Sequence, residues 1–333
     1  MTTVNLPIIT LRRGPWQADV FDPRPHPALL GARYVHGGYV ARLLRDGREL
    51  TGGSSPYWYH YDGCGLPETF ESGLAWHLVG PDEEYLRVGA GRLLKKADEP
   101  GEMQASGAPL VATLAWEVET GPDHATFRAA DQIRRRFPYR IGYRLERTIR
   151  LTDTGLVSTT TFTLDAPIAR QLPLPLTWYA HPFFRHHPAP APAAPPLPGA
   201  PGPLPPLAPT APIPHGPGTG FRLPAHAIRQ VDPPPGSPPQ ALPPILGPDG
   251  LWRFANADGG RLAFTGFWGA PPTPLEIHLD PARGGGRLDL ILDRPLDHLV
   301  LWANDRAASI EPKLAKTWLH GETGTWSVTY RWA

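Results

Sequence analysis

An all-β protein is predicted, a large antiparallel β-sandwich interrupted by one long, proline-rich irregular excursion. Apolar and polar residues alternate with a period of two through segment after segment, as in strands that bury one face. Gly, Pro, Asn and Asp punctuate these segments at short intervals, while helical signals are poor. No repeat of fixed period is present, which argues against a propeller or a solenoid. The 333 residues are enough to bury a substantial core.

Along the chain, "ARYVHGGYVARLL" (32–44) reads as a strand running into an Asp46-Gly47 turn and "RELTGG", a hairpin signal. "DQIRRRF" (131–137) has room for one helical turn, but its neighbours favour a strand. The clearest hairpin follows. In "YRIGYRLERTIRL" (139–151), Tyr143, Leu145, Ile149 and Leu151 share one face, and Arg144, Glu146, Thr148 and Arg150 the other. The turn "TDTG" then leads into "LVSTTTFTL" (156–164), rich in β-branched residues. "LTWYAHPFFRHH" (176–187) is an apolar run that ends on His181, with Pro182 and two phenylalanines behind it. Later strands are expected in "RLAFTGFW" (261–268), "PLEIHLD", "RLDLILD", "HLVLWAN" and the closing "TWSVTYRW".

Residues 188–248 hold 23 of the 45 prolines. Proline lacks an N–H donor, so this stretch is not expected to form core sheet. Within it, "GFRLPAHAIRQV" (220–231) carries apolar anchors suited to docking on the body. The strands on its two sides read as halves of one sandwich. One domain over 1–333 is therefore expected, with 188–248 as an excursion across its surface.

Composition excludes several function classes. Thirty-two basic and 31 acidic residues leave a formal charge of +1, which gives no electrostatic basis for binding nucleic acid or an anionic membrane. Cys64 is the single cysteine, so no internal disulfide framework exists. With neither a signal-peptide pattern nor an apolar run of membrane-spanning length, a cytoplasmic protein is expected.

Two residues have the ingredients for chemistry. His181 stands at the end of a strand-like run, and Glu311 precedes Pro312, which holds it extended. An imidazole titrating near neutrality and a partly buried carboxylate make an acid/base pair if the fold unites them. A metal site is not expected: neighbouring His186 and His187 point to opposite sides of an extended chain, with no spaced Cys or carboxylate to complete the set. "ARGGGRL" (282–288) lacks the helix and Lys-Ser/Thr of a phosphate loop and reads as a turn.

In order along most of the chain, "ARYVHGGYVARLLRDGRELTG", "GCGLPETFESG" (63–73), "YLRVGAGRLLKKAD" (85–98), "WYAHPFF" and the C-terminal "DHLVLWANDRAASIEPKLAKTWLHGETGTWSVTYRW" resemble motifs of the aldose 1-epimerase (galactose mutarotase) superfamily. His320 departs from that pattern where the family usually has proline, and the proline-rich excursion is compositionally unusual. The resemblance implies the galactose mutarotase-like supersandwich and an isomerase that interconverts the α and β anomers of an aldose or aldose phosphate. It implies Glu311 as general base and His181 as general acid, with no metal and no cofactor. Arg33, Glu68, Arg92 and Lys95, with neighbouring Lys96, are candidates for binding sugar hydroxyls or a phosphate. Trp302, Phe183 and Phe184 are candidates for an aromatic platform under the sugar. The expected partner is a small sugar or sugar phosphate, and the expected state a monomer or homodimer. A non-catalytic carbohydrate-binding protein on the same fold is the alternative.

Overall fold

The computed structural model describes residues 7–53, 63–71, 73–74, 76–96, 109–134, 140–185, 220–223, 229–231, 245–246, 248–253, 260–265, 274–279, 286–303 and 307–333. Strands dominate. β1 (Ile8–Arg13), β2 (Trp16–Phe21), β3 (Val40–Arg45) and β4 (Arg48–Glu49) form a four-stranded meander. β5 (Glu68–Phe70) joins a different sheet, and β6 (Glu84–Arg87), β7 (Gly91–Leu94) and β8 (Ala112–Thr113) make a small one of their own. Next come β9 (Glu117–Thr120), β10 (His124–Arg134), β11 (Arg140–Thr152), β12 (Gly155–Asp165), β13 (Leu174–Ala180) and β14 (Phe184–Arg185). Short strands follow at β15 (Gly220–Arg222), β16 (Arg229–Val231), β17 (Ile245–Leu246) and β18 (Trp252–Arg253). The chain closes with β19 (Gly260–Thr265), β20 (Leu275–His278), β21 (Arg287–Leu292), β22 (His298–Ala303), β23 (Ala307–Trp318) and β24 (Thr323–Trp332).

Two large sheets form the sandwich. One runs β17-β18-β15-β20-β21-β24-β12-β11-β10-β9, the other β16-β19-β22-β23-β13-β5, with β14 also on β23. Their long central pairings are antiparallel. Tyr143, Leu145, Ile149 and Leu151 of β11 share one core with Phe162 of β12, Trp326 and Val328 of β24, and Leu176, Trp178 and Ala180 of β13. On the outward face of β12 and β24, Thr159 pairs with Ser327, Thr161 with Thr325 and Thr163 with Thr323, hydroxyl to hydroxyl. Cross-strand hydroxyl pairs of this kind help hold register. Among the described residues no helix is long and apolar enough to cross a membrane.

Two expectations change on contact with the structure. The strand expected over 32–44 begins only at Val40. Gly38, at φ +74°, turns the chain, and Gly37 lies so close to the Trp116 ring that a Cβ there would fall 2.2 Å from it. Residues 131–134 are the end of strand β10, as their neighbours lead one to expect. The excursion also enters the sheets: β15 lies inside the ten-stranded sheet between β18 and β20, with Phe221 fully buried. Proline bars only the positions it occupies from the ladder, and Gly220–Arg222 contains none. Residues 188–219, 266–268 and 282–285 lie outside the described residues.

Candidate active site

β13 places the histidine. Side chains alternate along it, so Trp178 and Ala180 enter the core while Tyr179 and His181 take the other face. Pro182 has no N–H, and β13 stops at Ala180. The segment is instead tied to the loop before β5: His181 N–H donates to Pro67 O at 2.9 Å and Phe183 N–H to Gly65 O at 2.7 Å. β14 then resumes on β23 in unchanged register, Tyr179 opposite Lys313 and Phe184 opposite Ala308. Counting inward from both ends sets His181 level with Glu311.

β23 places the carboxylate. On this strand, Ile310 points into the core with Leu299 and Leu301 of β22, which turns Ser309, Glu311 and Lys313 to the face that carries His181. His181 Nε2 lies 3.3 Å from Glu311 Oε1, both groups almost wholly buried. Ser309 Oγ sits 3.2 Å from Nδ1 of the same ring, and Arg33 Nη2 3.4 Å from Nε2. A guanidinium can only donate, so its bond to Nε2 requires that nitrogen bare, whereas a bond to Glu311 requires it protonated. The two contacts are therefore alternatives that exchange with one proton.

Aromatic rings wall the pair. Phe183 stacks on the imidazole at 4.4 Å between centroids, with Tyr179, Trp302 and Tyr34 at 5.9, 6.0 and 6.1 Å. Arg33 lies over the Tyr34 ring. Burial pushes the Tyr34 and Tyr179 hydroxyls well above the usual phenol range, and the Glu311 carboxylate pushes both in the same direction. Lys313 Nζ lies over the Tyr179 ring and 2.8 Å from Glu71 Oε1. Arg87, its pKa lowered by burial, donates to the Ala32 and Glu71 carbonyls. The site is thus a buried carboxylate and imidazole held among aromatic rings, with cations on its flank.

Of the residues singled out from the sequence, His181, Glu311, Arg33 and Trp302 converge, and Phe183 with them. Others are directed elsewhere. Glu68 lies beside Ala180 on β5 and turns into the core, where it meets Arg147, Ser158, Thr160 and Trp178. Arg92 is engaged by both carboxylate oxygens of Asp131. Lys95 donates to the Trp76 and Val79 carbonyls and lies over the Trp76 ring. Phe184 is core. Ser309, Lys313, Tyr34 and Tyr179 were missed. For Ser309 and Lys313 the signal was present, since both share Glu311's period-two face. Among the described residues no group of three or more His, Cys, Asp or Glu is placed to hold a metal, and His186 and His187 lie outside them.

Neither a protein-family model nor a curated protein sequence matches the chain. Solved structures do resemble it. A candidate aldose 1-epimerase from Escherichia coli K12 aligns over 99% of both chains with a TM-score of 0.56 and 14% identity. A galactose mutarotase-like protein from Lactobacillus casei aligns over 98% of this chain and 100% of its own, at 0.55 and 15%. One from Clostridium acetobutylicum covers 98% and 95%, at 0.55 and 14%. At such identities the likeness speaks for architecture alone. In architecture, the chain has the fold of the aldose 1-epimerase and galactose mutarotase-like proteins.

Proposed function

We propose that this protein is an aldose 1-epimerase-like isomerase working by paired proton transfer between Glu311, His181 and a cyclic sugar. The observation that carries the reading is the 3.3 Å approach of Glu311 Oε1 to His181 Nε2, with Ser309 and Arg33 on the two ring nitrogens. The two oxygens that must exchange protons in mutarotation share one carbon. An acceptor and a donor side by side suit them. Glu311 takes the proton of the C1 hydroxyl, the bond from C1 to the ring oxygen breaks, and His181 protonates that oxygen. The open-chain aldehyde rotates about the C1–C2 bond. Reclosure on the other face returns both protons, leaving the enzyme as it began. Each well-placed group is worth roughly 10²–10⁴ in rate. Half-buried Trp302 offers apolar surface to the sugar's C–H faces, while buried Phe183 backs the imidazole. The half-buried guanidinium of Arg33 also suits a phosphorylated sugar, so hexose phosphates belong in the assay.

The test is anomer exchange followed by NMR after fresh α-anomer is added. Wild-type protein is expected to speed relaxation, and Glu311→Gln to lose at least a hundredfold while keeping its far-UV circular dichroism. Equal rates for the two proteins would overturn the reading. Saturable sugar binding without faster exchange would establish a carbohydrate-binding protein on the same fold.

A further inference from the structure

On the opposite, inward face of β13 lies a cavity of about 220 Å³. Its walls are aromatic: Phe70, Trp178, Trp318 and Trp326 line it. Trp326 meets Trp178 at 5.5 Å and 64° and Phe70 at 6.2 Å and 75°. Trp178 is fixed from behind, its Nε1–H donating to Glu68. A Cβ on Gly324 would stand 2.5 Å from the Trp318 ring, so the glycine is what lets that indole lie against β24.

Two features point to a ligand. Trp326 is 4% exposed, and its Nε1–H meets no acceptor among the described residues. A buried donor without a partner is costly and is normally satisfied. At the rim, Lys316 is already paired with Glu322 and lies over the Trp318 ring. Asp297, the one carboxylate lining the cavity among the described residues, accepts from Ala315 N–H. Exposed Arg294 also lines the cavity and has no ion pair or hydrogen bond among the described residues.

We propose that this cavity is a second binding site, for a small monocyclic aromatic carboxylate that bears a hydroxyl on its ring. The ring fits among the indoles, because an apolar cavity of about 150 Å³ already holds benzene and this one is larger. The carboxylate meets the Arg294 guanidinium, whose fork suits it. The hydroxyl oxygen accepts from Trp326 Nε1–H. A sugar fits poorly: its many hydroxyls would be buried against carbon with too few partners. The site shares no residue with the His181–Glu311 pair and does not depend on the isomerase reading.

The probe is 4-hydroxybenzoate, followed by saturation-transfer NMR and titration calorimetry. Wild-type protein should bind it saturably, without competition from glucose. Arg294→Gln should weaken binding about tenfold and Trp326→Phe about fivefold, the losses expected for one charge-assisted and one neutral hydrogen bond. Uncharged 4-hydroxybenzyl alcohol should match the Arg294→Gln loss, and Glu311→Gln should bind like wild type. Gly324→Ala, whose methyl meets the Trp318 ring in the cavity wall, should weaken binding. Absence of saturable binding by wild type overturns the proposal, as does unchanged binding by Arg294→Gln. The latter substitution is on the surface, so it remains decisive even if a core variant fails to fold.

Discussion

Arg147 and Glu68 form an ion pair inside the core, Nη2 to Oε1 at 2.6 Å, with both side chains cut off from solvent. The pair joins the two large sheets, since Arg147 belongs to β11 and Glu68 to β5. Ser158 and Thr160 donate to the carboxylate, Trp178 adds its indole N–H, and Arg147 reaches the Gly37 carbonyl. Such a pair is tolerated only when its lone pairs and protons are satisfied. Here many are.

Removing one partner should therefore cost far more than removing both. Glu68→Gln is expected to destabilise the fold by about 3–5 kcal/mol by leaving a buried guanidinium uncompensated. The double variant Glu68→Gln with Arg147→Met should recover part of the loss. Urea unfolding of the three proteins measures it, and additive losses would contradict the pairing.

His36 predicts an acid sensitivity. Burial lowers its pKa from 6.5 to about 4, although the Gly31 carbonyl 2.7 Å from Nε2 favours the proton. A histidine held neutral by the fold contributes stability that is complete above the unfolded pKa and lost as pH falls from 6.5 towards 4. The loss amounts to about 3 kcal/mol over that window. Urea unfolding at pH 7 and pH 4.5 should show it, and His36→Gln should flatten that part of the pH dependence.

Gly65 anchors the backbone two residues past the histidine. Its φ is +69°, and a Cβ there would sit 2.0 Å from the Val40 carbonyl oxygen. Its own carbonyl accepts from Phe183 N–H. Gly65→Ala should cost about 2 kcal/mol or more, from left-handed strain and the clash, and should lower anomer exchange as well, because the 181–183 segment shifts. An unchanged thermal midpoint would refute this.

Ser309 is expected to act as a positioning residue. Ser309→Ala removes the hydroxyl 3.2 Å from His181 Nδ1. The expected cost is about fivefold in kcat, from one hydrogen bond of about 1 kcal/mol, with KM little changed. The pH profile of kcat should shift, and Ser309→Thr should restore it. A purely structural serine would leave the profile in place.

Much of the architecture was legible locally. The alternation over 139–151 and 156–164 became β11 and β12 nearly residue for residue, and "TWSVTYRW" became the end of β24. Arg147 interrupts the apolar row of β11, and a charge there calls for a buried partner. For the site, a strand ending at His181 and a glutamate before proline were visible, and family likeness joined them. Their approach was not visible, because it depends on β13 and β23 pairing across more than a hundred residues of chain.

The sequence alone determined the period, and with it which residues are able to share a face: Trp178 with Ala180, Tyr179 with His181, Ser309 with Glu311 and Lys313. Alternation is a property of each strand's own backbone and needs no partner. Only the tertiary structure decided which face meets which. It turned Glu68 into the core beside Arg147, gave Arg92 to Asp131, and set His181 against Glu311. Those outcomes follow from sheet order and register, which long-range packing selects and no local stretch of residues encodes.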